Sequence, residues 1–167
     1  DEEGNPIGSF VGWQDQRSNE SHPDSDTSHI ANFLNAVDQT DPAGKVCRPK
    51  VGYLGPTLAW FAAREQLPDQ PFQASFLPDL ISAQLTNTSP VTDATNAAGS
   101  GLFNVVERQW HGPLIDQLQL NSETLPRVVP SGSMAGKLVE DWADTGLDPG
   151  IPVCVACGDN QASFLGS

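Results

Sequence analysis

A run of strand length, Ile151-Pro152-Val153-Cys154-Val155-Ala156-Cys157, passes directly into Gly158-Asp159-Asn160-Gln161-Ala162-Ser163, and no other stretch constrains the chain as much. An apolar run of that length reads as a buried strand. The glycine, acid, amide and small residues after it read as the start of a helix. Together they predict a strand-to-helix turn with a carboxylate at the carboxyl edge of a strand, the edge that faces the ligand crevice in open α/β sheets. Two roles stay open for Asp159: a helix N-cap, for which aspartate is among the preferred residues, or a carboxylate presented to a bound molecule.

The remaining segments alternate between helix and strand signals. Ile7, Phe10, Val11 and Trp13 predict a short strand after the turn signal Gly4-Asn5-Pro6. That strand ends in Trp13-Gln14-Asp15-Gln16-Arg17. An amphipathic aromatic beside amides, an acid and a guanidinium suits a polyol site, which needs an apolar face and several hydrogen-bonding groups. The plainer alternative makes Trp13 a core residue and the Asp15–Arg17 pair a loop brace. Ile30, Phe33, Leu34 and Val37 fall at i, i+3, i+4 and i+7, the stripe of an amphipathic helix. Tyr53, the single tyrosine, sits in Gly52-Tyr53-Leu54-Gly55-Pro56, where Pro56 opens a helix over 57–65; its hydroxyl faces a ligand or is satisfied in packing.

Phe76 to Leu85 reads as a short structural helix, with Pro78 and Asp79 in its favoured first turn. Val91 to Asn104 is a turn of small polar residues and glycines, or one wall of a site. Leu114, Ile115, Leu118 and Leu120 predict another helix, 128–136 reads as loop around a short strand, and 138–143 as a helix stopped at Gly146. The expectation is one domain or lobe in mixed α/β order.

Charge narrows the partners. Twenty-one acids against eight bases leave a net charge of -13, which repels phosphate backbones and anionic membranes, so nucleic acid and membrane are excluded as expected partners. No stretch reaches the roughly 18 apolar residues of a membrane span, and the first residues do not resemble a signal peptide. Cys47, Cys154 and Cys157 are an odd set, expected as reduced core thiols of a cytoplasmic protein. Within a strand, Cys154 and Cys157 would point to opposite faces, against a shared metal. His22, His29 and His111 lack ligand spacing, which argues against a metal hydrolase.

Four motifs then fall in register: Trp13-Gln14-Asp15-Gln16-Arg17, Thr92-Asp93-Ala94-Thr95-Asn96-Ala97 through Leu102-Phe103-Asn104, Leu125-Pro126, and Gly158-Asp159-Asn160-Gln161-Ala162. In order and spacing the chain resembles the FGGY carbohydrate kinases over nearly its whole length. The resemblance implies an α/β lobe of ribonuclease H-like fold, of the actin-like ATPase superfamily, in a kinase that phosphorylates a sugar hydroxyl with ATP and Mg2+. It implies Asp159 as general base, lying near the metal, and Asn160 as a contact to substrate hydroxyls. Trp13 maps to the tryptophan lining the sugar pocket and Tyr53 to the pocket tyrosine of the glycerol kinase branch, while Asp15 and Arg17 would shape the pocket. A homo-oligomer is left open.

Leu58 stands where many members carry a lysine. Sedoheptulokinases share that departure, the Thr57-Leu58-Ala59-Trp60 pattern and the Gly158 to Ser163 motif, so sedoheptulose is the expected substrate, with xylulose, ribulose or glycerol as alternatives. Residues 1–167 are expected to form a partial N-terminal lobe, without the family's first phosphate-binding turn and nucleotide lobe, and inactive alone. The competing reading is a non-catalytic sugar-binding module.

Overall fold

The computed structural model describes Asp1 and residues 5–167, so the turn expected at Gly4-Asn5-Pro6 begins outside the described residues. In chain order the elements are α1 (His29–Thr40), α2 (Leu54–Ala63), α3 (Leu77–Thr86), β1 (Val91–Asp93), α4 (Ala94–Ala98), β2 (Phe103–Asn104), β3 (Gln109–Trp110), α5 (Gly112–Gln117), β4 (Arg127–Val129), β5 (Met134–Lys137), β6 (Pro152–Cys154) and α6 (Asp159–Leu165). The chain groups into two compact units.

One unit comprises residues 8–69 and 97–122. The Ser28 side chain accepts from the Ala31 N–H and starts α1, whose stripe buries Phe33, Ala36 and Val37. Helix α2 comes close to the turn before β2: the Gly55 N–H donates to the Ser100 carbonyl at 2.9 Å, and a Cβ on Gly55 would lie 2.6 Å from that oxygen. Leu58, Leu102, Phe103, Leu114 and Ile115 complete this core, with Phe103 edge-on to Trp110 across the β2–β3 pair. The strand expected over 7–13 does not form: Ile7, Phe10 and Trp13 are exposed, Gly8 has φ +88°, and Asp15 N–H bonds back to the Gly12 carbonyl in a turn. Alternation marks a strand only where another strand supplies hydrogen-bond partners.

The other unit comprises residues 1 and 5–7, 70–96 and 123–167. Strand β1 pairs in parallel with β4, Asp93 opposite Val129, and β5 pairs antiparallel with β6. Helix α3 lies against β5, so close at one point that a Cβ on Gly136 would sit 2.7 Å from the Thr86 Cβ. Ala83, Leu125, Leu138 and Val155 are buried here.

Three further expectations change. The buried strand over 151–157 is instead a short ribbon strand, with Ile151 and Cys154 exposed and Val155 buried. A two-strand ribbon backed on one side buries alternate residues only. The core thiols are likewise corrected, since Cys47 and Cys154 are exposed and Cys157 is half-buried; all three are free. The helix over 138–143 is a 3-10 turn, Glu140–Thr145, ended as expected by Gly146 at φ +83°.

Candidate functional site

Strand β1 ends in an acid that is fully buried. Asp93 Oδ1 accepts from the backbone N–H of Thr95 at 3.1 Å and of Asn96 at 2.9 Å. The Thr95 hydroxyl donates to both Asp93 oxygens at 2.8 Å, and the Ser131 hydroxyl donates to Oδ2 at 2.5 Å. An acid followed by a hydroxyl two residues on closes an Asx turn, which ends the strand and starts α4. Burial of the carboxylate is tolerated because both oxygens are hydrogen-bonded.

The same turn reaches the segment before α6. The Gly158 N–H donates to Thr95 Oγ1 at 2.7 Å, and the Asn96 side-chain amide donates to the Ala156 carbonyl at 3.1 Å. Gly158 is the N-cap of α6, so Asp159 occupies the first helical position and the capping role read from the sequence passes to the glycine. Asp159 is exposed, and its Oδ1 accepts from the N–H of Asn160 at 2.7 Å. Asn160 is also exposed. The junction therefore presents a carboxylate and an amide to solvent from a backbone tied at two points.

Trp13, Asp15, Arg17 and Tyr53 all lie in the other unit. Trp13 is 79% exposed, which corrects its reading as a core residue. Its backbone abuts the tyrosine loop: a Cβ on Gly52 would fall 1.9 Å from the Trp13 carbonyl oxygen, and Gly52 has φ +84°. Only glycine meets both demands. Tyr53 follows, half-buried, with its backbone capping α2. Asp15 Oδ1 accepts from Arg17 Nε at 2.8 Å and from the Arg17 N–H at 3.0 Å. That Arg17 hydrogen bond holds the Asp15 carboxyl below its usual range. The guanidinium lies 4.9 Å from the Trp60 ring centre and 4.6 Å from that of Phe61. The pair is thus a brace fixed on aromatic faces, with Asp15 two positions after Trp13 and closing the turn that begins at Gly12.

Sequence reasoning gave Thr95, Ser131 and Asn96 no role at the junction, though Asp93-Ala94-Thr95 carries the Asx-turn spacing that foreshadows one. Asp79, expected as an ordinary first-turn acid of α3, is instead buried beside Thr92, and its oxygens make no hydrogen bond of good geometry. Burial pushes its pKa up to about 6, with the Thr92 hydroxyl and Phe76 N–H pulling partly back and the nearby Asp93 charge adding to the rise.

For a metal, the described residues offer no group of three or more His, Cys, Asp or Glu side chains able to hold an ion. Mg2+ commonly takes one or two carboxylates and fills its shell with water and substrate phosphates. The exposed Asp159 fits that partial role and no larger one.

Residues 1–166 match the FGGY family of carbohydrate kinases, N-terminal domain. The chain is 28% identical to a xylulose kinase of Staphylococcus xylosus over 100% of this chain and 33% of that protein. It is 28% identical to a glycerol kinase of Chloroflexus aggregans over 98% of this chain and 32% of that protein. It thus spans about a third of the length of these curated relatives. Among solved structures, the xylulose kinase from Rhodospirillum rubrum aligns with a TM-score of 0.66 at 21% identity, covering 82% of this chain and 28% of that one. Plasmodium falciparum glycerol kinase with ADP aligns with a TM-score of 0.66 at 16% identity, covering 91% of this chain and 32% of that one. At these identities the likeness establishes fold: an α/β chain of the ribonuclease H-like, actin-like ATPase class.

Proposed function

The chain belongs to the FGGY family of carbohydrate kinases, and on that premise we propose that the whole protein carrying it transfers the γ-phosphoryl group of ATP to a hydroxyl of a ketose or small polyol, with residues 1–167 as a partial N-terminal lobe. The observation that carries this reading is the family match running through Gly158-Asp159, together with the exposed carboxylate that the tied junction presents there. In the proposed reaction Asp159 takes the proton from the attacking hydroxyl as that oxygen bonds to phosphorus and the bond to ADP breaks. Asn160 hydrogen-bonds a second substrate hydroxyl. Trp13 gives an apolar face to the carbon chain, Tyr53 offers a hydroxyl beside it, and the Asp15–Arg17 brace holds the loop that carries Trp13. Mg2+ would lower the negative charge of the transferring phosphates, with Asp159 as its one partner from this chain.

The substrate named for the relatives is xylulose or glycerol. Sedoheptulose rested on Leu58 in place of a lysine, on the Thr57-Leu58-Ala59-Trp60 pattern and on the Gly158 to Ser163 motif, and Thr57, Leu58 and Trp60 are buried in the packing of α2. Leucine at 58 is therefore accounted for by the core it fills, and xylulose and glycerol come ahead of sedoheptulose. The test is Asp159→Asn in the full-length protein, assayed with all three substrates: kcat should fall by roughly 100-fold or more. Retention of kcat within a few-fold would remove Asp159 as base, and absence of turnover in the wild type on any sugar or polyol would favour a binding module.

A further inference from the structure

We propose that Thr95, held by Asp93, is a positioning residue that sets where the Gly158–Asp159 junction stands for phosphoryl transfer. The inference rests on the reading of Asp159 as base and adds the device that aims it.

A threonine hydroxyl has a single proton and two lone pairs. Here the proton is shared between the two Asp93 oxygens, both at 2.8 Å. That leaves a lone pair for the Gly158 N–H at 2.7 Å, the shorter of the two ties to this segment. Asp93 thus fixes the hydroxyl as an acceptor toward Gly158, and Asp93 is itself held by two backbone N–H groups and the Ser131 hydroxyl. The chain of bonds runs from the end of β1 to the residue immediately before Asp159.

A second, independent observation assigns these bonds a large share of the positioning. No residue of α6 is buried, so apolar packing does not fix this helix within the described chain. The anchors are Val155, buried and donating its N–H to the Ser133 carbonyl at 2.8 Å, the Asn96 bond to Ala156 and the Thr95 bond to Gly158 next to Asp159. Space is short as well: a Cβ on Gly158 would meet Gln161 Oε1 at 2.6 Å and Thr95 Oγ1 at 3.4 Å. A base misplaced by an ångström loses much of its advantage, so the junction's register is a catalytic quantity.

The experiment compares Thr95→Val, Thr95→Ser and Asp159→Asn in the full-length protein, by steady-state kinetics and by hydrogen exchange of the 157–163 segment. Valine keeps the shape and removes the acceptor; serine restores it. Thr95→Val should lower kcat about tenfold or more with the sugar KM changed less than about threefold, and Thr95→Ser should recover most of kcat. Exchange in the segment should rise about tenfold in the valine variant and stay near wild type in the serine variant. Positioning is overturned if Thr95→Val keeps kcat within about twofold of wild type, if serine fails to rescue, or if exchange does not change. Retained activity in Asp159→Asn would overturn the base assignment alone, because the exchange comparison still decides whether Thr95 holds the junction.

Discussion

Asp79 is a carboxyl placed where its charge is costly. It lies in the first turn of α3, where an acid ordinarily interacts with the helix dipole from the surface, yet it is 1% exposed and close to Asp93. Its pKa rises from 3.8 to about 6 mainly through burial. The folded state therefore holds this proton over a range in which the unfolded chain has released it. Stability from this group is present at low pH and is lost as pH rises through about 6. Above that value the penalty is on the order of 3 kcal/mol. Asparagine has nearly the same shape, and its amide can meet the Thr92 hydroxyl and Phe76 N–H. Asp79→Asn should be more stable than wild type at pH 7.5 by that order, with the gap closing as pH falls toward 4. Denaturant titrations of both proteins across this range check it; a gap independent of pH would contradict the raised pKa. Asp79 was illegible in the sequence because an acid in a first helical turn has the same local signature whether water or protein lies over it. Asp159 was legible as a carboxylate at a junction because glycine and the small residues around it punctuate the backbone locally.

Elements whose logic is local were readable in advance, and those that need distant partners were not. The i, i+3, i+4 spacing of Ile30, Phe33, Leu34 and Val37 places α1, and the leucines and isoleucine from Leu114 onward place α5. The run over 151–157 failed as a buried strand because burial depends on what covers the ribbon, and 7–13 failed as any strand for lack of a partner. The Trp13 segment is instead ordered by a close approach to the tyrosine loop, which Gly52 permits. Gly52→Ala would add a Cβ against the Trp13 carbonyl at an unfavourable φ, so it should destabilise the unit by about 2 kcal/mol or more. It should also raise the sugar KM, if Trp13 and Tyr53 line one pocket. Gly12→Ala serves as the control, since a Cβ there meets nothing within 4 Å. Equal stability of the two variants in chemical denaturation would show that the approach at Gly52 is looser than described.

At the scale of the molecule, the order of four short motifs was the legible part of function, because membership of a family is carried by sequence register even where single motifs are weak. Charge sets a condition on how such a protein works. Eight bases face 21 acids, and Arg17, Lys45, Arg48 and Arg64 are each already engaged in an ion pair. The chain has little positive charge to offer a nucleoside triphosphate, and its net field opposes one. Phosphoryl transfer nevertheless spreads negative charge over the equatorial oxygens, which must be met by metal and cationic groups. A divalent cation travelling with the phosphates is the economical source, and the single exposed carboxylate at Asp159 matches a partner that brings most of its own ligands. Chelation of divalent cations in the full-length protein should therefore abolish turnover, by roughly 100-fold or more, and added Mg2+ should restore it. Sugar binding followed by calorimetry should be nearly unaffected by the same chelator, because Trp13, Tyr53 and Asn160 are assigned to hydroxyls and carbon rather than to phosphate. Turnover that survives exhaustive chelation would mean that cationic side chains elsewhere in the protein carry the phosphate charge.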